Sequence, residues 1–337
     1  MVVLARGQVV ASAPAKVILF GEHFVVYGVP AVVAAISLRA RAAVRKRDGL
    51  AVSVRAPDLG ASGTFLPDGT FSPGEGGEEA RRPLEPILTA VRHVMEALGA
   101  SSGLEVLVRS KIPVAAGLGS SAAVAVSAAA ATARLLSGRL DLDLVFKAAF
   151  KAEELVHITP SGVDPAISTY GGLITYRRGE GIRRLEARGP LELVVGDTGI
   201  KRSTGALVSA VRALKERRPR FFASLLEAVE RLVADAVAAL ERGDLTALGE
   251  LMDINHGLLS AIGVSNEALD RLVHAARRAG ALGAKLTGAG GGGCMIALVE
   301  PGSGERVARA VEAAEGRAFL AELSREGVRV EQGARGA

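Results

Sequence analysis

Short runs of β-branched and apolar residues open the chain. Residues 8–12 and 16–20 read as strands meeting at a kink over Ala13-Pro14-Ala15, and 31–36 and 40–47 continue the pattern. Between them Gly21-Glu22-His23 breaks the run, and the apolar stretch Phe24-Val25-Val26-Tyr27 stops at Gly28. Asp48-Gly49 predicts a two-residue hairpin turn with 50–56 as its return strand. Gly, Pro, Asp and Ser dominate 57–86, which predicts a loop carrying a second hairpin turn at Asp68-Gly69. Helical apolar spacing follows over 87–98 and ends at Gly99, and 104–110 alternates as a strand that Pro113 terminates.

From there the period changes. The alanine-rich run 120–136 predicts a long helix, and 142–157 a second one capped by Asp141. A polar turn over 159–164 separates it from strand-like 167–170 and 173–177, with a turn at Gly179-Glu180-Gly181. After a strand at 191–196, long amphipathic helices are expected at 204–216, 221–241, 245–262 and 266–279. Strands at 284–286 and 294–299 flank a glycine run, and a helix over 305–326 and a strand at 328–331 close the chain. Strands first and helices later indicate a mixed α/β (α+β) architecture in two lobes. No internal repeat is visible.

The 337 residues suffice for two cores, and 49% apolar composition is that of a globular chain. The start MVVLARG has no apolar run of signal-peptide length, so a cytoplasmic protein is expected. The helix after Gly119 is mostly alanine and interrupted by Ser127, Thr132 and Arg134, which argues against a membrane span. One cysteine, Cys294, excludes an intramolecular disulfide framework and a cysteine-based zinc site. A net charge of +5 suits anionic small ligands, while the absence of Trp and of a basic, aromatic-studded helix disfavours nucleic acid. Asn255, Asn266, Gln8 and Gln332 are the only side-chain amides, a composition shared by heat-adapted proteins and, in its Ala, Gly and Arg, by GC-rich genomes.

The chemistry centres on KIPVAAGLGSSAA, residues 111–123. Gly117-Leu118-Gly119 allows positive φ, and Ser120 and Ser121 open the long helix. Unpaired N–H groups and the helix dipole at such a start suit a phosphate, and a serine hydroxyl can reach the accompanying metal. A plain strand-to-helix turn is the competing reading, and no Walker loop occurs. Lys16 stands among apolar β residues, which fits either a functional group or an edge-strand lysine. Glu153 fits a metal carboxylate or a solvated helix face, and Asp164 a catalytic carboxylate or an Asx turn. Gly288, Gly290 and Gly293 match G-x-G-x-x-G, but the run precedes a strand, so the dinucleotide reading fails.

Pro113-x-x-x-Gly117-Leu118-Gly119-Ser120-Ser121-Ala122 resembles the phosphate-binding motif of the GHMP small-molecule kinases, and three further stretches extend the resemblance over most of the chain. SAPAKVILFGEHFVVYG (12–28) is similar to the first motif of the mevalonate-phosphorylating branch, with Ala15 in place of its usual glycine. Thr159-Pro160-Ser161-Gly162-Val163-Asp164 resembles the family's P-S-G-x-D segment, with Ile158 where glycine is usual, and KLTGAGGGGC (285–294) its third motif. Asp197-Thr198 through Ser203-Thr204 resembles a segment near the acceptor's carboxylate.

The resemblance implies a two-lobed GHMP kinase fold: a mixed-sheet nucleotide-binding domain at 1–188 and a helix-rich α/β domain at 189–337. It implies ATP-dependent phosphorylation of the C5 hydroxyl of mevalonate, with Asp164 as base and Lys16 beside it. Pro113, Ala116, Gly117, Leu118, Gly119, Ser120, Ser121 and Ala122 would bind ATP, and Ser121 and Glu153 would hold Mg²⁺. Glu22, His23, Ser203, Thr204, Gly288 and Ala289 would face the acceptor. Phosphomevalonate or galactose as acceptor, and a catalytically silent sensor, stay open at this point, as does a homodimer.

Overall fold

The computed structural model describes residues 7–113, 117–156, 160–201 and 204–331. Strands β1 (Gln8–Phe20), β2 (Ala31–Arg47), β3 (Val52–Ala56), β4 (Ala61–Phe65) and β5 (Phe71–Pro73) come first. Helix α1 (Arg81–Ala97), strand β6 (Gly103–Ser110), and helices α2 (Ser120–Ser137), α3 (Leu142–Val156) and α4 (Val163–Tyr170) follow. Strands β7 (Leu173–Arg177) and β8 (Gly181–Leu185) complete this lobe. The second lobe runs β9 (Glu192–Asp197), α5 (Thr204–Arg217), α6 (Pro219–Arg242), α7 (Leu245–Ala261) and α8 (Glu267–Arg278). It continues with β10 (Gly283–Leu286), β11 (Cys294–Val299), α9 (Gly304–Ala313) and β12 (Arg317–Glu322), and the last strand, β13 (Arg329–Val330), returns to the first sheet.

The first sheet is ordered β13-β1-β2-β6-β3-β4-β5, with β7 beside β2 and β8 beside β7; the second is β10-β11-β9-β12. The kink expected over Ala13-Pro14-Ala15 is a register shift inside one long strand: Pro14 faces Arg39, and Ala15 faces Ile36. Residues 31–47 are likewise one strand, which serves β1 along one edge and both β7 and β6 along the other. A chain break between strands was expected at each place because the local pattern lapses. Long-range pairing carries both strands through.

Four expectations need correcting. The turn at Asp48-Gly49 does not make a hairpin, because β6 lies between β2 and β3 and pairs parallel with β3. The stretch 57–86 is not all loop: it contains β4 and β5, joined as expected around Asp68-Gly69, and the start of α1. Residues 167–170 belong to α4, where Pro165 sits in the first turn and so forfeits no intrahelical bond. The run 305–326 splits, since Glu315 takes φ +67 and Gly316 has no room for a side chain beside Leu272, and 317–322 pairs with β9.

α2 explains the alanines. Its residues 123–133 are all buried, packed against β1 and β2 on one side and α1 and α3 on the other. Small side chains let the helix lie close to the sheet, and that brings its N-terminus against β1. By length and composition it could cross a bilayer, yet here it is the core of the first lobe. Ala128 is fully buried, so Ala128→Leu should destabilise by ~1–3 kcal/mol through overpacking. The half-exposed Leu136→Ala at the helix end should change denaturant midpoints less.

Candidate active site

Past Ser12, no strand among the described residues covers the outer edge of β1, since β13 pairs with Ala11 and Ser12. Buried backbone groups must still find partners. The Pro14 carbonyl accepts from Ser168 Oγ of α4 at 3.0 Å. The Lys16 N–H donates to the Leu118 carbonyl of the glycine turn at 2.9 Å. The Ile18 N–H donates to Thr287 Oγ1 at 3.0 Å, and the same hydroxyl donates back to the Ile18 carbonyl at 2.9 Å. One edge thus gathers α4, the turn before α2 and the glycine run of the second lobe.

These elements enclose a cleft of about 510 Å³, within the range of small-ligand sites. Of the residues singled out from the sequence, Lys16, Glu22, His23, Gly117, Gly119, Ser120, Ser121, Ala122, Glu153, Asp164, Thr204, Gly288 and Ala289 line it. Pro113 and Leu118 are buried behind it; Leu118 contributes only its carbonyl bond to Lys16. Ala116 and Ser203 lie outside the described residues, as does Thr159. Val25, Val26 and Val208 give the cleft an apolar wall.

Gly119 caps α2 in the left-handed region at φ +71; as glycine it offers the first turn no side-chain cap, and that turn holds no acidic residue. The first N–H groups and the positive end of the dipole therefore face the cleft without a competing anion from the helix itself. A side chain at Gly119 would come within 2.7 Å of Lys16 Cγ. Glycine is thus required both for the backbone and for the approach of Lys16.

Lys16 Nζ lies 3.1 Å from Asp164 Oδ1, and the lysine is nearly buried. Asp164 rides in the first turn of α4, after Gly162 at φ +72. Glu153 Oε2 accepts the Gly162 N–H at 3.1 Å. Burial pushes the Glu153 carboxyl up to about 7, and the charge of Asp164 adds to this, against the pull of the Gly162 N–H and Lys16. Two carboxyls sharing one lysine make a place where a cation would be welcome. Among the described residues no cluster of three or more His, Cys, Asp or Glu could hold a metal by itself.

The opposite side is held from the second lobe. Glu22 is buried and ion-paired with Lys285, and its second oxygen accepts from Asn255 Nδ2 at 3.3 Å. His23 Nε2 donates to the Ala289 carbonyl at 2.8 Å. Burial pushes the His256 imidazole down to about 4. In its neutral form Nδ1 accepts the Leu286 N–H at 3.3 Å and Nε2 faces Asp270 at 3.2 Å, fixing β10 from behind. Asp197 turns away from the cleft, binding Arg317 and the Gly199 N–H, while Thr198 pins the glycine run through the Gly293 carbonyl. Of that segment only Thr204 lines the cleft among the described residues. Lys285, Thr287 and Asn255 were missed from sequence. The signal for Lys285 was present, a lysine in an apolar strand, as for Lys16.

A cleft pairing an uncapped helix N-terminus with a Lys–Asp pair is that of a phosphate-transferring enzyme. The family profiles agree: residues 85–172 match the GHMP kinases N terminal domain, and 236–318 the GHMP kinases C terminal one. A mevalonate kinase of Pyrococcus horikoshii is 45% identical over 338 residues, covering 96% of this chain and 98% of its own. The chain belongs to the GHMP kinases. The crystal structure of L. major mevalonate kinase in complex with R-mevalonate superposes with a TM-score of 0.79 at 32% identity, over 93% of this chain and 95% of that one. That of Methanococcus jannaschii mevalonate kinase gives 0.79 at 25%, over 95% and 100%.

Because the folded protein keeps the Glu153 proton up to about 7 while the unfolded chain releases it near 4.5, ionisation here opposes folding. Stability should fall as pH rises through that window. Glu153→Gln removes the effect, and without divalent metal it should be more stable than the natural protein by ~1–3 kcal/mol at pH 8, with little difference at pH 4.5. Mg²⁺ added at pH 8 should stabilise the natural protein more than the variant. Urea titrations at the two pH values decide this.

Proposed function

We propose that this cleft transfers the γ-phosphoryl group of ATP to the C5 hydroxyl of mevalonate, giving 5-phosphomevalonate and ADP. The observation that carries the reading is the Lys16–Asp164 pair at 3.1 Å, set beside the open N-terminus of α2, in a chain so similar to mevalonate kinases along its length. The N-terminal segment 1–188 supplies the phosphate side and most of the chemistry, and 189–337 supplies Thr204, Gly288 and Ala289 to the acceptor side.

In this reading the N–H groups from Gly117 to Ala122 cradle the phosphates, and Ala116, outside the described residues, is assigned to ATP from the sequence motif alone. Glu22, His23, Thr204, Gly288 and Ala289 orient the acceptor, and Ser203, outside the described residues, is assigned to the same side from the sequence motif alone. Asp164 takes the proton of the C5 hydroxyl as its oxygen bonds to the γ-phosphorus and the bond to the ADP oxygen breaks. Lys16 offsets the negative charge that builds between the reacting oxygen and the phosphoryl group. Ser121 and Glu153 would hold Mg²⁺, which when bound neutralises phosphate charge. The apolar wall of Val25, Val26 and Val208 excludes water from the acceptor.

Two tests follow. Purified protein should phosphorylate mevalonate far better than galactose, homoserine or phosphomevalonate in a coupled assay; faster turnover of any of those three removes the acceptor assignment. Asp164→Asn should lower kcat by ~10²–10⁴-fold while ATP affinity by calorimetry stays near the natural value. Lys16→Met should do much the same, and the double variant little more, because the two act as a unit. An Asp164→Asn enzyme keeping above about a tenth of its turnover would make Asp164 structural.

A further inference from the structure

β10 and the residues after it touch the first lobe at every second position. Lys285 reaches Glu22, Thr287 reaches Ile18, and the Ala289 carbonyl takes the His23 ring. Thr287 closes a strand edge and Ala289 lines the cleft, but Lys285 has no part in the mechanism above. It is fully buried, and all three of its donors are placed: on Glu22, on the Leu286 carbonyl at 2.7 Å and on the Ile18 carbonyl at 3.5 Å. Burial pushes its ammonium down, and only the Glu22 carboxylate opposes that. Stability alone does not account for such a pair, since replacing one by apolar groups is often neutral or stabilising.

The next residue supplies the reason. His23 has φ +59 and ψ −43, one of two non-glycine residues at positive φ among those described. Such a backbone persists only where the surroundings over-determine it, and it concentrates at functional sites. Here Glu22 is fixed on one side, and on the other Phe24 packs on Phe222 of α6 with ring centres 6.2 Å apart.

We infer that Lys285 is a positioning residue for the acceptor: by clamping Glu22 across the seam between the lobes, it holds His23 in its strained backbone so that the imidazole faces the cleft. This rests on the assignment of Glu22 and His23 to the acceptor side. The clamp acts on one substrate only, because the phosphate turn is tied to β1 at Lys16, independently of Glu22.

Steady-state kinetics, ATP calorimetry and ¹⁵N-histidine NMR on Lys285→Met test it, with the His23 signal assigned through His23→Gln. The expected result is a mevalonate KM raised about tenfold or more, as small misplacements of orienting groups give. ATP Kd should stay within about twofold, and the His23 nitrogen signals should move. Lys285→Arg should recover part of the KM. If Lys285→Met does not fold, Asn255→Ala, which loosens the other Glu22 oxygen, should shift the same two readouts in the same direction by less. A natural KM with an unmoved His23 signal in the variant that folds, or equal losses for ATP and mevalonate, would overturn the inference. Should the natural enzyme fail to use mevalonate at all, the acceptor assignment falls, and the His23 signal alone then judges the clamp.

Discussion

A strand edge that cannot be left bare organises this protein. β1 gives one edge to β2 along its length, but among the described residues β13 and Glu331 cover the other just at Val10, Ala11 and Ser12. The remaining outer groups are met in sequence by Ser168, Leu118 and Thr287, which belong to three separate parts of the chain. Each partner is also the neighbour of a residue that lines the cleft: Asp164 lies on the same short helix as Ser168, Gly119 follows Leu118, and Gly288 follows Thr287. Satisfying the backbone therefore assembles the site. Leaving such groups unpaired in the interior costs ~1–3 kcal/mol each, which is a strong reason for the pieces to stay docked.

Charge completes what the edge begins. Lys16 stands near two carboxyls, Asp164 directly and Glu153 through its field. Burial lifts the Glu153 carboxyl toward the neutral range, against the pull of Lys16, while Asp164 keeps the salt bridge to that lysine. Across the cleft, Lys285 and Glu22 repeat the motif in full burial, where it fixes geometry in place of reactivity.

Much of the site was legible because its residues are out of place locally. Lys16 in an apolar strand, glycines before an alanine helix, and Asp164 after a Ser-Gly turn each violate the pattern around them. Functional residues do that more often than structural ones. Lys285 violates it too, but it sits inside a glycine motif that drew the attention to its backbone. What the sequence hid were pairings across long separations: Ile18 with Thr287, and β6 between β2 and β3. Asp48-Gly49 reports a turn and says nothing of which strand comes back to fill the gap. The short α4 and β12 were misread because eight and six residues of mixed propensity do not reveal a period, and packing on the sheets decides them.

Thr287→Val tests the organising claim most directly, since valine keeps the shape of threonine and removes only the hydroxyl. Amide hydrogen exchange resolved at single residues should show the Ile18 N–H exchanging about tenfold faster or more. Amides of 40–45, held between β1 and β6, should be unchanged, and turnover should fall with the loosened seam. An Ile18 amide as protected as before, in an enzyme of undiminished activity, would contradict the account.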